Sequence, residues 1–305
     1  MLGQNRIPKE YWFLISSGVL SGLIVFSGAI FKRWGFSLME VSILPFVPAV
    51  IFLVPFLRGK RKEFSLGNLK ILLVWSLVAA FTVMTQFGAV MAGASVAMTV
   101  LLLYTQPIWT IISSRIFFKK RILWMDIINC LVVVSGIILL IEPWKIKDPG
   151  STLGIIIALF GGLALSGWIT IGWYVAQKKI DPYAAKFAET IIESVIIFAV
   201  LNIVQLFIKQ NHINRLSLHW PLGIWLFILI FTLLTQVVNH VLYLKGTRKV
   251  PAINAGIMMM LEPVSGTILA ALFLGQVIGG NIVLGGGLII LGNYLVIRRG
   301  ESIAS

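Results

Sequence analysis

Near the middle of the apolar stretch Ala252–Leu274 (AINAGIMMMLEPVSGTILAALFL) an acidic residue, Glu262, is followed at once by Pro263. A carboxylate at mid-membrane costs about 2.5–3.5 kcal/mol on insertion scales, so it is retained where it has work to do. The proline removes a backbone donor and frees the carbonyl one turn earlier, which loosens the helix beside the charge. This point is the first candidate for contact with a substrate; the competing reading is a structural hydrogen bond that re-satisfies the freed backbone. Glu189 and Glu193 stand four residues apart in another apolar run, hence one turn apart on one helix face. In a low-dielectric site two such carboxylates repel each other, and one bound proton relieves the repulsion, which makes a proton-coupling device. Against that, Glu189 could instead pair with Lys186. Gln236, Asn239 and His240 cluster in a further run, with Gln236 and His240 on one face, and an imidazole can titrate with the glutamates. The bland alternative for His240 is a neutral ring hydrogen-bonded within the bundle. Gln86, Gln106 and Asn254 are further polar positions inside apolar runs. Tyr104 and Trp168 are mid-run aromatics that could stack on a flat substrate or hold a cation by the ring face; Trp12, Trp124, Trp144 and Trp220 fall at run ends, where interfacial aromatics collect.

These residues need a scaffold of a particular kind. Of the 305 residues 58% are apolar and only 12% charged, about half the charged share of a soluble domain, which points to a polytopic all-α membrane protein. At about 20 apolar residues per crossing, ten helices are expected near 11–31, 41–57, 69–88, 94–117, 124–141, 153–176, 183–207, 221–244, 252–274 and 279–297. The first run is too long for a signal-peptide core and reads as a retained helix. The net charge of +14 would suggest a nucleic-acid partner in a soluble protein, but here Lys and Arg fall in the short loops and read as topology signals. With the N-terminus inside, only Lys32, Arg33, Lys145, Lys147, Lys209 and Arg215 lie on the outer side, so both termini are expected in the cytoplasm of a cell-membrane protein. The single cysteine, Cys130, lies within a run, so neither a disulfide framework nor a metal cluster is expected, and no cofactor.

An internal repeat is present. The first helix and its loop overlie the sixth at an offset of 144, and helices four and five overlie nine and ten at an offset of 156. The second offset pairs Pro107 with Pro263, Gln106 with Glu262 and Gly136 with Gly292. The repeats are expected to span 1–147 and 148–305. Five helices is an odd number, so the halves insert with opposite orientation. Inverted halves with interrupted helices at matching positions are the pattern of a secondary transporter whose site lies between them.

Three motifs carry a resemblance to a known family. Gly154–Lys179 followed by Asp181-Pro182 (GIIIALFGGLALSGWITIGWYVAQKKIDP) has a helix, basic loop and "DP" turn. Ala252–Phe273 has small residues followed by the acidic-Pro pair, and Gly285–Gly292 is a glycine-rich last helix. With YTQP (Tyr104–Pro107) in the first half, the chain resembles an EamA-type member of the drug/metabolite transporter superfamily over nearly its whole length. It departs from the pattern at Gly275-Gln276, where Gly-Glu is common. The resemblance implies export or exchange of small metabolites, often amino acids, by a chain that can act as a monomer, with a small-molecule substrate and the lipid bilayer as its partners. Nucleotide-sugar or sugar-phosphate exchange is the alternative within the superfamily, but such substrates call for Lys or Arg in the cavity, and almost every basic residue here sits at a span edge. An intramembrane protease is the least favoured reading, since no Glu-Glu pair, second intramembrane histidine, Gly-x-Ser-Gly or His-Glu-x-x-His motif is present.

Overall fold

The computed structural model of the chain describes residues 7–207 and 215–304. Lys209, used above in the charge distribution, lies outside the described residues, as does the basic Arg6 near the N-terminus. Among the described residues the architecture is all-α, with ten helices long and apolar enough to cross a membrane. They are α1 (Lys9–Arg33), α2 (Leu38–Leu57), α3 (Leu66–Val90), α4 (Val96–Phe118), α5 (Trp124–Lys145), α6 (Thr152–Gln177), α7 (Pro182–Leu206), α8 (Leu222–Gly246), α9 (Ala252–Leu274) and α10 (Gly280–Arg299).

Four of these helices are not regular, and the sequence says why. α4 stops at Leu103 and restarts at Gln106, and α9 stops at Met259 and restarts at Leu261. Each restart places its proline, Pro107 or Pro263, in the first turn of the second segment, where a missing N–H costs little. The prolines therefore begin new half-helices rather than kink continuous ones. α2 begins with a reciprocal cap in which Ser37 and Glu40 satisfy each other's backbone N–H, and it is interrupted near Pro45. In α8 the segment Leu233–Val238 widens into a π turn.

Packing follows the internal repeat. α1 lies against α8 and α9, while α6 lies against α3 and α4; α5 and α10 pack along each other. Two glycines fix the first two contacts. A Cβ on Gly18 of α1 would stand 2.6 Å from the Met258 carbonyl oxygen, and one on Gly162 of α6 would stand 2.5 Å from the Leu102 carbonyl oxygen. Gly18 and Gly162 are 144 positions apart, and Leu102 and Met258 are 156 apart, so both offsets of the repeat meet at these crossings. In both places the obstacle is main chain just before a helix break, which cannot rotate away. Gly162→Val is therefore expected to destabilise the bundle by about 1–3 kcal/mol, read as a lower thermal midpoint of the purified protein. Gly223→Val, at a position with open space around it, is the control expected to leave the midpoint unmoved.

Candidate functional site

A cavity of about 150 Å³ is lined by residues of α1, α3, α6, α7, α8 and α9, and the irregular stretches of α8 and α9 border it. The helix break of α9 sets Met259, Met260 and Glu262 on its wall, and the π turn of α8 sets Gln236 there, with Asn239 and His240 just beyond. α3 adds Thr82 and Gln86, and α6 adds Trp168. The wall of the cavity is part carboxylate, part amide and part aromatic, at the depth where each of the six spans is near its middle.

α7 supplies the charged side chains at i, i+3 and i+7, one stripe of its inner face. Lys186 Nζ lies 2.9 Å from Glu189 Oε2, with both side chains 0% exposed. The same ammonium donates to Gln236 Oε1 at 3.3 Å, and Trp168 Nε1 donates to Glu189 Oε1 at 2.7 Å. His240 Nε2 stands 4.0 Å from Glu189 Oε2, while its Nδ1 donates to the Thr235 carbonyl at 3.0 Å. Thr235 lies within the π turn, so the histidine is oriented by its own helix. Glu189 is thus fully engaged. Glu193, one turn further along, lines the same cavity.

Glu262 lines the cavity from α9, two positions beyond the break, with the Tyr104 hydroxyl beside its carboxyl group. Tyr104 comes from the corresponding break in α4, so the two interrupted helices meet through this pair. Asn239 is a tie between helices: its Nδ2 donates to Ser21 Oγ at 3.0 Å and its Oδ1 accepts from Ser17, which clips α8 to α1.

The expected site residues therefore separate into groups. Glu189, Glu193, Gln86, Trp168, Gln236, Asn239, His240 and Glu262 share the cavity, and Tyr104 stands behind Glu262. Gln106 does not reach it: fully buried, it donates to Thr110 Oγ1 at 2.6 Å against Gly256, in a polar seam that continues through Ser166, Ser113 and Thr170. Asn254 lines a different pocket at one end of the bundle. Trp168 is a built-in wall more than an open platform, since its ring stacks on Tyr243 (4.8 Å between centroids) and Trp75 (5.9 Å) and meets His240 edge-on. Trp75 Nε1 also donates to the Trp168 carbonyl, and Tyr243 Oη to that of Ile169.

Two residues that the sequence did not single out as part of the site matter here. Lys186, weighed above only as a possible partner of Glu189, is that partner and is buried inside the bundle. Its sequence signal was the i, i+3, i+7 spacing with the two glutamates. Trp75 gave no comparable signal, because it is one apolar residue among many in α3.

Comparison with known proteins agrees with this architecture. A transporter of Clostridium kluyveri described as uncharacterized is 22% identical over 304 residues, covering 95% of this chain and 93% of its own length. A second, of Archaeoglobus fulgidus and described in the same words, is 23% identical over 297 residues, covering 94% of this chain and 99% of its own. A solved crystal structure superposes with a TM-score of 0.72 at 14% identity, over 95% of this chain and 99% of that one, and so shares the fold. The sequence pattern of the EamA-like transporter family matches residues 8–142 and 152–298. With nearly the whole chain matched in two consecutive halves, the protein belongs to the EamA-like transporter family: it is a multi-pass membrane transporter and not an enzyme.

Proposed function

We propose that this transporter exports or exchanges a small polar or amphipathic metabolite, an amino acid or a related compound, by alternating access between two inverted halves, residues 1–147 and 148–305. The observation that carries the reading is the cavity itself, whose wall is assembled from helices of both halves and holds two carboxylates, Glu193 from α7 and Glu262 from α9. An ammonium group would complete either carboxylate, and the amides of Gln86 and Gln236 offer donors to a carboxylate end. Sugar-phosphate exchange is less well supported. Its dianionic substrates need free cations, and the buried Lys186 is already held by Glu189 and Gln236. The protein acts in the cell membrane as a monomer with both termini in the cytoplasm, in keeping with its distribution of Lys and Arg.

Proton coupling is part of the proposal, with Glu193, Glu262 and His240 as the carriers. The test is made with purified protein in liposomes loaded with mixed amino acids and related metabolites, and efflux is followed by mass spectrometry. Selective release above empty liposomes is expected, and an imposed pH gradient is expected to drive uphill movement that Glu193→Gln abolishes while downhill exchange persists. Release of no amino acid above background would refute the substrate class. Uphill movement unchanged by Glu193→Gln would remove that residue from the coupling.

A further inference from the structure

A second pocket, of about 200 Å³, opens at the end of the bundle where α4 and α10 finish and α5 and α9 begin. Its wall has the chemistry of an anion site. Lys120 and Arg121, both exposed, come from the α4–α5 connection, with the Lys120 ammonium held over the Trp173 ring at 5.1 Å. Arg299 lies across from them, fixed by Asp126 at 2.6 Å. That aspartate also accepts from the Leu123 N–H at 2.9 Å, so the one carboxylate of the lining is occupied. α9 enters the pocket by its N-terminus, where Pro251 supplies no capping side chain, so the first N–H groups of the helix carry their partial positive charge into the same space.

Ser114 is the independent sign that something belongs there. Its side chain is 1% exposed, its Oγ has no hydrogen-bond partner among the described residues, and it lines this pocket. A buried hydroxyl without a partner costs about 1–3 kcal/mol, and it is not in contact with the central cavity. Basic side chains, a helix N-terminus and an unpartnered hydroxyl converging on one space match a group with several acceptor oxygens. The Trp173 and Phe118 rings, edge to face at 5.2 Å, give that group an apolar floor for the carbon body it carries.

We propose that this end pocket binds a phosphate-bearing anion, separately from the transported substrate. The same phosphate chemistry is offered by a free cytosolic anion and by the headgroup of an acidic lipid, and the experiment distinguishes them. Full-length protein washed in neutral detergent is titrated with inorganic phosphate by calorimetry. The same protein is reconstituted in phosphatidylcholine nanodiscs with and without phosphatidylglycerol, and lipid retention is read by native mass spectrometry. Saturable heat with phosphate identifies a free anion; retained phosphatidylglycerol identifies the lipid. In whichever arm gives binding, Arg121→Gln is expected to weaken it about tenfold, the loss of one charge-assisted contact, and added salt to weaken it further. Arg121→Lys is expected to recover part of the loss, and Ser114→Ala to weaken binding without removing charge. Lys178→Gln, a basic residue lying over Tyr174 and outside the pocket, is expected to change nothing. Arg121 is exposed, so the fold does not depend on it. Binding in neither arm, or binding that Arg121→Gln and Ser114→Ala both leave intact, overturns the proposal.

Discussion

Replacing Glu262 by glutamine is expected to cut transport by at least about tenfold, roughly 1.4 kcal/mol of lost stabilisation, while leaving the thermal midpoint of the protein unchanged. The two halves of this expectation separate the two roles the residue could have. Glutamine keeps the size of the side chain and its ability to meet the Tyr104 hydroxyl, so a purely structural residue at the helix restart would tolerate it in both assays. A residue that must carry charge or a proton into the cavity would not. The position favours the second role. Glu262 lies in the first turn of the restarted half-helix, where the helix N-terminus favours an anion, and it lines the cavity. Tyr104→Phe supplies the matching measurement. It removes the hydroxyl beside the carboxyl group but leaves the carboxyl in the cavity, and a smaller loss, several-fold, is expected. Transport by Glu262→Gln equal to that of the native protein would move the essential chemistry to Glu193 and the α7 wall.

The spans were legible in the sequence because each is an apolar run of bilayer length, and the breaks of α4 and α9 were legible because proline marks them. The offset of 156 that pairs Pro107 with Pro263 also pairs Leu103 with Met259, the last residues before each break. What the sequence could not separate was a polar residue facing a cavity from one facing a helix. Gln106 and Glu262 occupy corresponding positions, yet Gln106 is fully buried against Gly256 and Thr110 while Glu262 lines open space. The difference lies in which helix crosses in front of each, and that depends on contacts far away in the chain. Trp168 illustrates the same limit, since its stacking partners, Trp75 and Tyr243, lie in two other helices. The burial of Lys186 was hidden for a different reason. A basic residue one turn from a span end reads as a topology signal, but α7 packs against α3 along its length, and its inner face is closed off even near its end.

That lysine carries the largest stability effect expected in the molecule. Lys186→Met leaves Glu189 charged and buried with the Trp168 indole as its remaining close donor, and removing one member of a buried pair costs about 3–5 kcal/mol. Glu189→Gln alone should be similarly harmful, because it strands the buried ammonium on Gln236. The double variant Lys186→Met, Glu189→Gln removes both charges while the new glutamine still accepts from Trp168 Nε1, so most of the stability is expected to return. Thermal unfolding of the four proteins measures the coupling directly, and two stable single variants would show that the pair contributes nothing. The same set then asks what the pair is for. If Lys186 and Glu189 only brace α7 against α6 and α8, the double variant regains transport together with stability. If Glu189 takes up a proton when Lys186 releases it during the transport cycle, the double variant folds and exchanges substrate downhill but no longer answers a pH gradient. The geometry favours the brace: Glu189 is met by Lys186 and Trp168 with His240 4.0 Å away, and Glu193, one turn on, lines the cavity. Recovery of gradient-driven uphill movement in the double variant is therefore the expected result, and its loss would transfer the coupling role from Glu193 to Glu189.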